Sequence, residues 1–422
     1  MSTTTFESLG LSGPLLRALT SENYTQPTPI QVRAIPALLA GRDLLGIAQT
    51  GTGKTAAFGL PMLQTLDATR KRPEPKAARA LILAPTRELA VQIDQSLQTY
   101  GRHLNFRHAV ILGGVPQNRQ IAQMKNGVDI LVATPGRLLD LVKQHMVRLD
   151  GVEILVVDEA DRMLDMGFIK DVRRIVAMLP KKRQSMCFSA TMAPEVVELI
   201  GDMLRQPERI EVSPKTVTAD KVDQRVIHIA QKDKRALLTH LLKGDDLKRV
   251  IVFTRTKHVA NRVAEHLAKD GFRSDAIHGN KSQNARQRAL DGFKSGAVRV
   301  LVATDIAARG VDVDGITHVI NFELPNEPES YVHRIGRTAR AGADGIAISF
   351  CDPAERQFLR DIERLVKRPL TTVAHELSPE TLAAAQTGQG QDRRPNPANV
   401  PGERNYRRPK RRFNPRGQRR AA

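Results

Sequence analysis

Short, mostly apolar runs recur along the chain, and longer stretches in which apolar residues return at helical spacing separate them. The runs cover residues 43–47, 80–84, 129–133, 154–157 and 186–189 in the first half. In the second half they cover 226–229, 250–253, 300–303, 318–322 and 346–350. A strand that is apolar at nearly every position is buried on both faces, the condition met in parallel sheets covered by helices on either side. The chain therefore reads as an α/β protein. Its 422 residues exceed what one core of ordinary size organises, so two tandem units are expected. Residues 206–222 carry Pro207, Pro214 and mixed charge without apolar periodicity. We place a linker at 212–221, between a first domain at 1–211 and a second at 222–370.

Apolar residues make up 41% of the sequence and charged residues 26%, enough to build two cores. No apolar stretch approaches the roughly 18 residues that cross a bilayer, and the N-terminus has no basic start followed by an apolar run. The expectation is a cytoplasmic protein without a membrane partner. Cys187 and Cys351 stand far apart, each inside an apolar run, which suits small buried hydrophobes better than a disulfide or metal cluster. The formal net charge is +20. Such an excess points to a polyanion, because Lys and Arg release counterions from phosphate backbones. Residues 393–422 contain eleven Lys or Arg against one Glu, so half of the excess sits there. Residues 371–422 read as a low-complexity basic tail, disordered for want of apolar surface to bury.

Three elements carry phosphate chemistry. Ala48-Gln49-Thr50-Gly51-Thr52-Gly53-Lys54-Thr55 follows a strand-like run and leads into a helix-compatible stretch. Glycines at 51 and 53 let backbone N–H groups approach phosphate oxygens, Lys54 reaches the terminal phosphates, and Thr55 can ligate Mg²⁺. The run 154–157 enters Asp158-Glu159-Ala160-Asp161 directly. Carboxylates at that end of a strand face the ligand crevice, so Asp158 is the metal candidate and Glu159 the residue that orients and deprotonates the attacking water. In the second half, Arg337 and Arg340 stand three apart and share a helix face. They are candidate arginine fingers, completing the site when the second domain closes.

Together these elements resemble the DEAD-box RNA helicases of superfamily 2, whose name the tetrad spells, and the likeness runs in order from about residue 6 to 350. The resemblance implies two tandem RecA-like P-loop domains with ATP and Mg²⁺ as cofactors. Tyr24-Thr25-Gln26-Pro27-Thr28-Pro29-Ile30-Gln31 is similar to the family's glutamine motif. There Gln31 reads the adenine edge, Tyr24 stacks on the base and Phe6 braces the motif, with Thr50 and Thr52 in the phosphate loop. Ser189-Ala190-Thr191 resembles the motif that links hydrolysis to closure, through Asp161 and across the cleft to His333. The segment 302–312 resembles the fifth motif, with Gly310 and Asp312 at the ribose.

The same resemblance assigns an RNA surface. It comprises Thr86 and Arg87, Gly114, Thr134 and Arg137 in the first half, then Arg255, Arg286, Thr304 and Arg309 in the second. Hydroxyls, backbone amides and arginines contact phosphate and sugar, so binding is expected to be indifferent to sequence. Ala339 stands where the family usually has Gly, and Asn280 departs from a His-Gly-Asp pattern. The short N-terminus and Arg-rich tail look like bacterial RhlE-type members. That implies a monomer acting in ribosome assembly, RNA turnover or cold adaptation, with a ribosomal precursor or RNA-degradation complex as further partners. The expected activity is local unwinding of short RNA duplexes or remodelling of RNA-protein complexes. An RNA chaperone or ATP-gated clamp and a DNA-directed ATPase stay open as alternatives, and the tail is either an RNA tether or an aid to solubility.

Overall fold

The structure is a computed structural model that describes residues 4–48, 51–212, 222–308, 313, 315–339 and 345–375. Of the residues singled out above, Thr50, Arg309, Gly310, Asp312 and Arg340 lie outside the described residues. So do residues 213–221 of the expected linker and 376–422 of the expected tail.

Seven strands form the first sheet: β1 (Leu44–Ile47), β2 (Ala78–Leu83), β3 (His108–Ile111), β4 (Val128–Ala133), β5 (Ile154–Val157), β6 (Gln184–Ser189) and β7 (Glu208–Glu211). Their order is β3-β4-β2-β5-β6-β1-β7. A second sheet contains β8 (Val222–His228), β9 (Val250–Thr254), β10 (Ser274–Ile277), β11 (Val300–Thr304), β12 (His318–Asn321), β13 (Gly345–Cys351) and β14 (Thr371–Thr372). Here the order is β10-β11-β9-β12-β13-β8-β14. Every pairing among these strands is parallel. Both sheets belong to one compact unit, Met1–Leu377. No helix among the described residues is long and apolar enough to cross a membrane.

The apolar runs behave as the two-faced burial of a parallel sheet requires. Along β2, Ala80 and Ile82 join the core on one side of the sheet while Leu81 and Leu83 join the core on the other. The same alternation divides Ile130 and Val132 from Leu131 and Ala133, and Ile154 and Val156 from Leu155 and Val157. Cys187 and Cys351 are free thiols buried on β6 and β13. Four strands were not apparent in the sequence: β3, β7, β10 and β14. Each is an edge strand. An edge faces solvent along one side, and Glu208–Glu211 accordingly shows a single fully buried position, so no continuous apolar run announces it.

Gly46 lies in β1 between β6 and β7, where the Phe188 ring crosses it. A Cβ at Gly46 would come 2.5 Å from that ring. Phe188 is completely buried and packs on Phe58 with ring centroids 5.4 Å apart, so it has no room to withdraw. Among the residues other than glycine that adopt left-handed backbone, two lie beside candidate site residues: Glu159 with φ 55° after β5, and Ala339 with φ 54° after the helix Pro328–Ile335.

Gly46→Ala should lower stability by about 1–3 kcal/mol through overpacking, seen as a lower urea midpoint, whereas an unchanged midpoint would mean the ring yields freely. Ala339→Gly should act in the opposite sense. Removing a methyl from left-handed backbone should raise stability by up to about 1 kcal/mol, read by thermal unfolding.

Candidate nucleotide and RNA site

All strands of a parallel sheet present their C-terminal ends to one edge, and ligands of such sheets bind outside it. In the first sheet β5, β6 and β1 are neighbours, followed respectively by the acidic tetrad, by Ala190-Thr191 and by the glycine loop. The chain after β1 turns through Gly51 and Gly53, both in left-handed conformations with φ 80° and 89°, into the helix Lys54–Thr69. Lys54 is buried, its ammonium donating to the Ala48 carbonyl at 3.1 Å and lying 4.0 Å from Asp158 Oδ1. Thr55 follows it in the first helical turn.

The glutamine segment grips this loop directly. Gln31 Oε1 accepts the Thr28 N–H at 2.9 Å, forming a capping box that opens the helix Pro29–Leu39, and its Nε2 donates to the Gly53 carbonyl at 3.1 Å. A Cβ at Gly53 would lie 2.5 Å from that Nε2, so close approach as well as backbone conformation demands glycine here. One N–H and one lone pair of the Gln31 amide remain outside these two bonds. Tyr24 is 41% exposed and meets Tyr100 edge-on with centroids 6.1 Å apart. Phe6 is buried in the adjacent core.

After β5 come the two acids, both buried. Burial pushes Asp158 up to about 6, against the pull of Lys54. For Glu159 burial also opposes the charge, yet Arg162, Lys54 and Arg337 together hold it below the ordinary carboxylate range. Arg162 Nη1 donates to Glu159 Oε2 at 2.6 Å, with both side chains almost fully buried. That Arg337 acts on Glu159 brings a residue of the second sheet's half to the acids of the first. Arg337 is 4% exposed, and its Nε donates to the His333 carbonyl at 3.3 Å. Arg337 and His333 line a small pocket with Arg334 and Asp305. The neighbouring Arg334 is wholly buried, with Nη2 donating to Asp305 at 2.7 Å and Nη1 to the Glu323 carbonyl at 2.7 Å.

Asp161 joins β5 to β6. Its Oδ2 accepts the backbone N–H groups of Ala190 and Thr191, both at 3.0 Å. Ser189 Oγ accepts the Asp161 N–H at 3.2 Å and donates to the Thr191 carbonyl at 2.7 Å. These bonds tie the end of β5 to the end of β6.

The RNA candidates of this half cluster elsewhere on the same edge, at the ends of β2, β3 and β4. Thr86 caps the helix Arg87–Tyr100, accepting the Leu89 N–H at 3.3 Å. The Arg87 guanidinium lies across Gly114, where a Cβ would come 2.2 Å from Nη1. Arg137 donates to the Val115 carbonyl at 3.2 Å, and Thr134 is the N-cap residue of the helix Pro135–Lys143. In the second sheet, Arg255 and Thr304 stand at the ends of β9 and β11, which are neighbours. Arg286 meets a carboxylate of the first half. Its Nη2 lies 2.9 Å from Glu88 Oε2, and Gln283 Nε2 donates to Glu88 Oε1 at 3.1 Å. All three side chains are buried, so Arg286 serves here as a contact between the two halves.

Glu88, Gln283 and Arg162 were not apparent as functional residues in the sequence. Glu88 and Gln283 lie 195 residues apart, and nothing local marks either as a partner. Arg162 follows the acidic tetrad at a spacing of three from Glu159, which offered the one usable signal: an i,i+3 pair on a helical turn.

Family models match both halves: the DEAD/DEAH box helicase model over residues 28–200 and the helicase conserved C-terminal domain model over 233–342. The DEAD-box ATP-dependent RNA helicase CshA of Bacillus cereus is 44% identical over 386 residues, spanning 92% of this chain and 72% of that protein. The Bacillus subtilis counterpart is 41% identical over 91% of this chain and 77% of its own length. Among solved structures, Saccharomyces cerevisiae Dbp5 bound to RNA and ADP BeF3 superposes with a TM-score of 0.77 at 33% identity, covering 91% of this chain and 99% of that one. Mss116p bound to single-stranded RNA and AMP-PNP reaches 0.81 at 27% identity, covering 93% and 83%. A DEAD box protein of Methanococcus jannaschii is more similar in sequence, at 36% over 87% of this chain and 99% of its own, yet superposes with a TM-score of only 0.51. The chain belongs to the DEAD-box helicase family.

Proposed function

We propose that the chain is an ATP-dependent RNA helicase that couples ATP binding and hydrolysis to local unwinding of short RNA duplexes or remodelling of RNA-protein complexes. The observation that carries this reading is the composite acid site. Lys54, Asp158 and Glu159 come from one sheet, and the cation that acts on Glu159 across the divide, Arg337, comes from the other. A site assembled from two halves is complete only when they are together, which ties phosphate chemistry to an arrangement that RNA can favour.

In this reading Lys54 and the amides of residues 51–53 hold the terminal phosphates, Arg337 and Arg340 stabilise charge developing on the γ-phosphate, and Glu159 orients and deprotonates the water. Arg162 fixes the Glu159 carboxylate. Asp158 Oδ1 is a buried oxygen without a hydrogen-bond partner, which fits Mg²⁺, an ion that takes one or two carboxylates together with substrate phosphates, and Thr55 would add its hydroxyl. Bound there, the ion would supply neutralisation of phosphate charge. Tyr24, Gln31 and Phe6 form the adenine side. Gly310 and Asp312 complete the ribose side, and Ser189, Thr191, Asp161 and His333 relay the state of the phosphates.

RNA phosphates and sugars meet Thr86, Arg87, Gly114, Thr134 and Arg137 on the first half and Arg255, Thr304 and Arg309 on the second. Arg286 belongs to the same RNA set and also pairs with Glu88 of the first half. We read residues 1–211 and 222–370 as the two helicase domains, 212–221 as their linker and the basic residues of 371–422 as an RNA tether. A cytoplasmic monomer of RhlE type working on ribosomal precursors, in RNA turnover or in cold adaptation completes the reading.

ATP turnover of the purified protein should rise strongly with single-stranded RNA and little with DNA of the same sequence. Equal stimulation by both would transfer the chain to a DNA-directed reading. Glu159→Gln should cut RNA-stimulated turnover at least about a hundredfold while ATP still binds, as expected when a general base is lost. Duplex separation should disappear with it. Glu88→Gln leaves Arg286 buried without its counter-charge, so the closed arrangement should weaken. We expect a rise in the RNA concentration for half-maximal ATPase of at least about tenfold, following the 2–5 kcal/mol that truncating one partner of a buried pair costs. Unchanged RNA dependence would remove that contact from the mechanism.

A further inference from the structure

An ionic ladder runs along the C-terminal ends of four adjacent strands of the second sheet, in the order β9-β12-β13-β8. Arg255 follows β9, Glu323 follows β12, Asp352 and Glu355 follow β13, and Lys234 follows β8. Lys234 is completely buried; its ammonium lies 3.1 Å from Asp352 and donates to Glu355 Oε2. Glu355 is 1% exposed and also accepts the backbone N–H groups of Leu324 at 3.2 Å and Asp352 at 3.3 Å. Its remaining approach is to Arg255, whose Nη2 lies 3.4 Å from Oε1.

Arg255 is thereby held from several sides. Glu323 accepts its backbone N–H at 2.8 Å and comes within 3.7 Å of its Nη2. Asn326 accepts from Nη1 at 3.3 Å, and the Phe358 ring lies 5.6 Å from the guanidinium carbon. The side chain nevertheless stays 30% exposed. A guanidinium has five N–H groups, and this arrangement leaves some of them facing outward.

Stability alone gives a poor account of the ladder, since replacing buried ion pairs by well-packed apolar residues is often neutral or favourable. Pre-organisation gives a better one. An arginine on a free stem must be immobilised when it meets a phosphate, whereas one already clamped has lost that freedom on folding. We propose that Glu355, anchored by Lys234, is a positioning residue for RNA binding that holds the Arg255 guanidinium ready for an RNA phosphate. The proposal rests on the reading of Arg255 as an RNA contact.

The sign of the effect separates positioning from simple charge. Glu355→Gln removes a negative charge from a face that binds a polyanion, so electrostatics by itself would tighten RNA binding. Positioning demands the reverse. The experiment titrates labelled single-stranded RNA into the full chain with a non-hydrolysable ATP analogue, and measures ATPase against RNA concentration. Variants are Arg255→Ala, Glu355→Gln, the two combined, and Phe358→Leu, which removes the platform while leaving the buried charges alone.

Glu355→Gln should weaken RNA about three- to tenfold, the range for one immobilised side chain. The RNA concentration for half-maximal ATPase should rise in step, with turnover at saturating RNA unchanged. In the Arg255→Ala background the same change should have no further effect. Phe358→Leu should weaken RNA about two- to fivefold, and it decides the matter alone should Glu355→Gln fail to fold. Unchanged or tighter binding by Glu355→Gln, or by Phe358→Leu in that event, while Arg255→Ala weakens it, overturns the positioning role. Unchanged affinity in Arg255→Ala instead shows that the underlying assignment of Arg255 is wrong, and the proposal goes with it.

Discussion

Two carboxylates buried side by side at the end of an apolar strand are tolerable only while cations hold them. Asp158 and Glu159 occupy that position, and the surroundings are arranged to satisfy it. The strand must stop at Val157 and turn within one residue, which places Glu159 in left-handed backbone. Arg162 must return on the first turn of the next helix to meet Glu159, and Lys54 must be carried in from β1 to meet Asp158. Neither local cation completes the arrangement, because Arg337 also acts on Glu159 from the other half of the molecule. A buried charge cluster costs more than it returns in stability unless its geometry is good. In the function proposed above, the same geometry is the chemistry.

Much of this was legible in the sequence, for a definite reason. Central parallel strands are buried on both faces, so they appear as continuous apolar runs, and the runs located ten of the strands. Phosphate-loop glycines and the acids after 154–157 were legible because backbone conformation and strand-end placement tie residue type to position. What the sequence concealed was of two kinds. Edge strands such as Glu208–Glu211 and Ser274–Ile277 are half solvated and carry charge, so their pattern merges with that of loops. Pairings across long separations were equally hidden. Glu88 within Pro85-Thr86-Arg87-Glu88-Leu89 looks like one more acid in a first helical turn, where a negative charge is favourable anyway. Only the folded arrangement shows it taken up by Gln283 and Arg286. Ala339 shows the converse. Its departure from the family's Gly was visible, and the structure adds that its backbone is left-handed, so the departure carries a conformational cost.

Hydrogen bonds that tie one motif to the next recur along both edges. Gln31 grips Gly53, Asp161 grips the turn after β6, and Arg334 joins Asp305 to Glu323. None is an isolated ornament of the surface. Each joins the terminus of one element to that of another, so the candidate site residues are held by backbone as much as by side chain.

Along the edge of the first sheet the two sets of candidates do not mix: β5, β6 and β1 present the phosphate machinery, while β3, β4 and β2 present the RNA side. That separation makes the two halves of the edge independently variable over evolutionary time. Substitutions beside Gly114 or Thr134 can retune how tightly nucleic acid is gripped without disturbing the acids, which follow a different strand, β5. For an inhibitor the same partition offers two distinct footholds. A compound lodged against Arg87 and Arg137 would be selective by surface shape and need not compete with the cell's ATP.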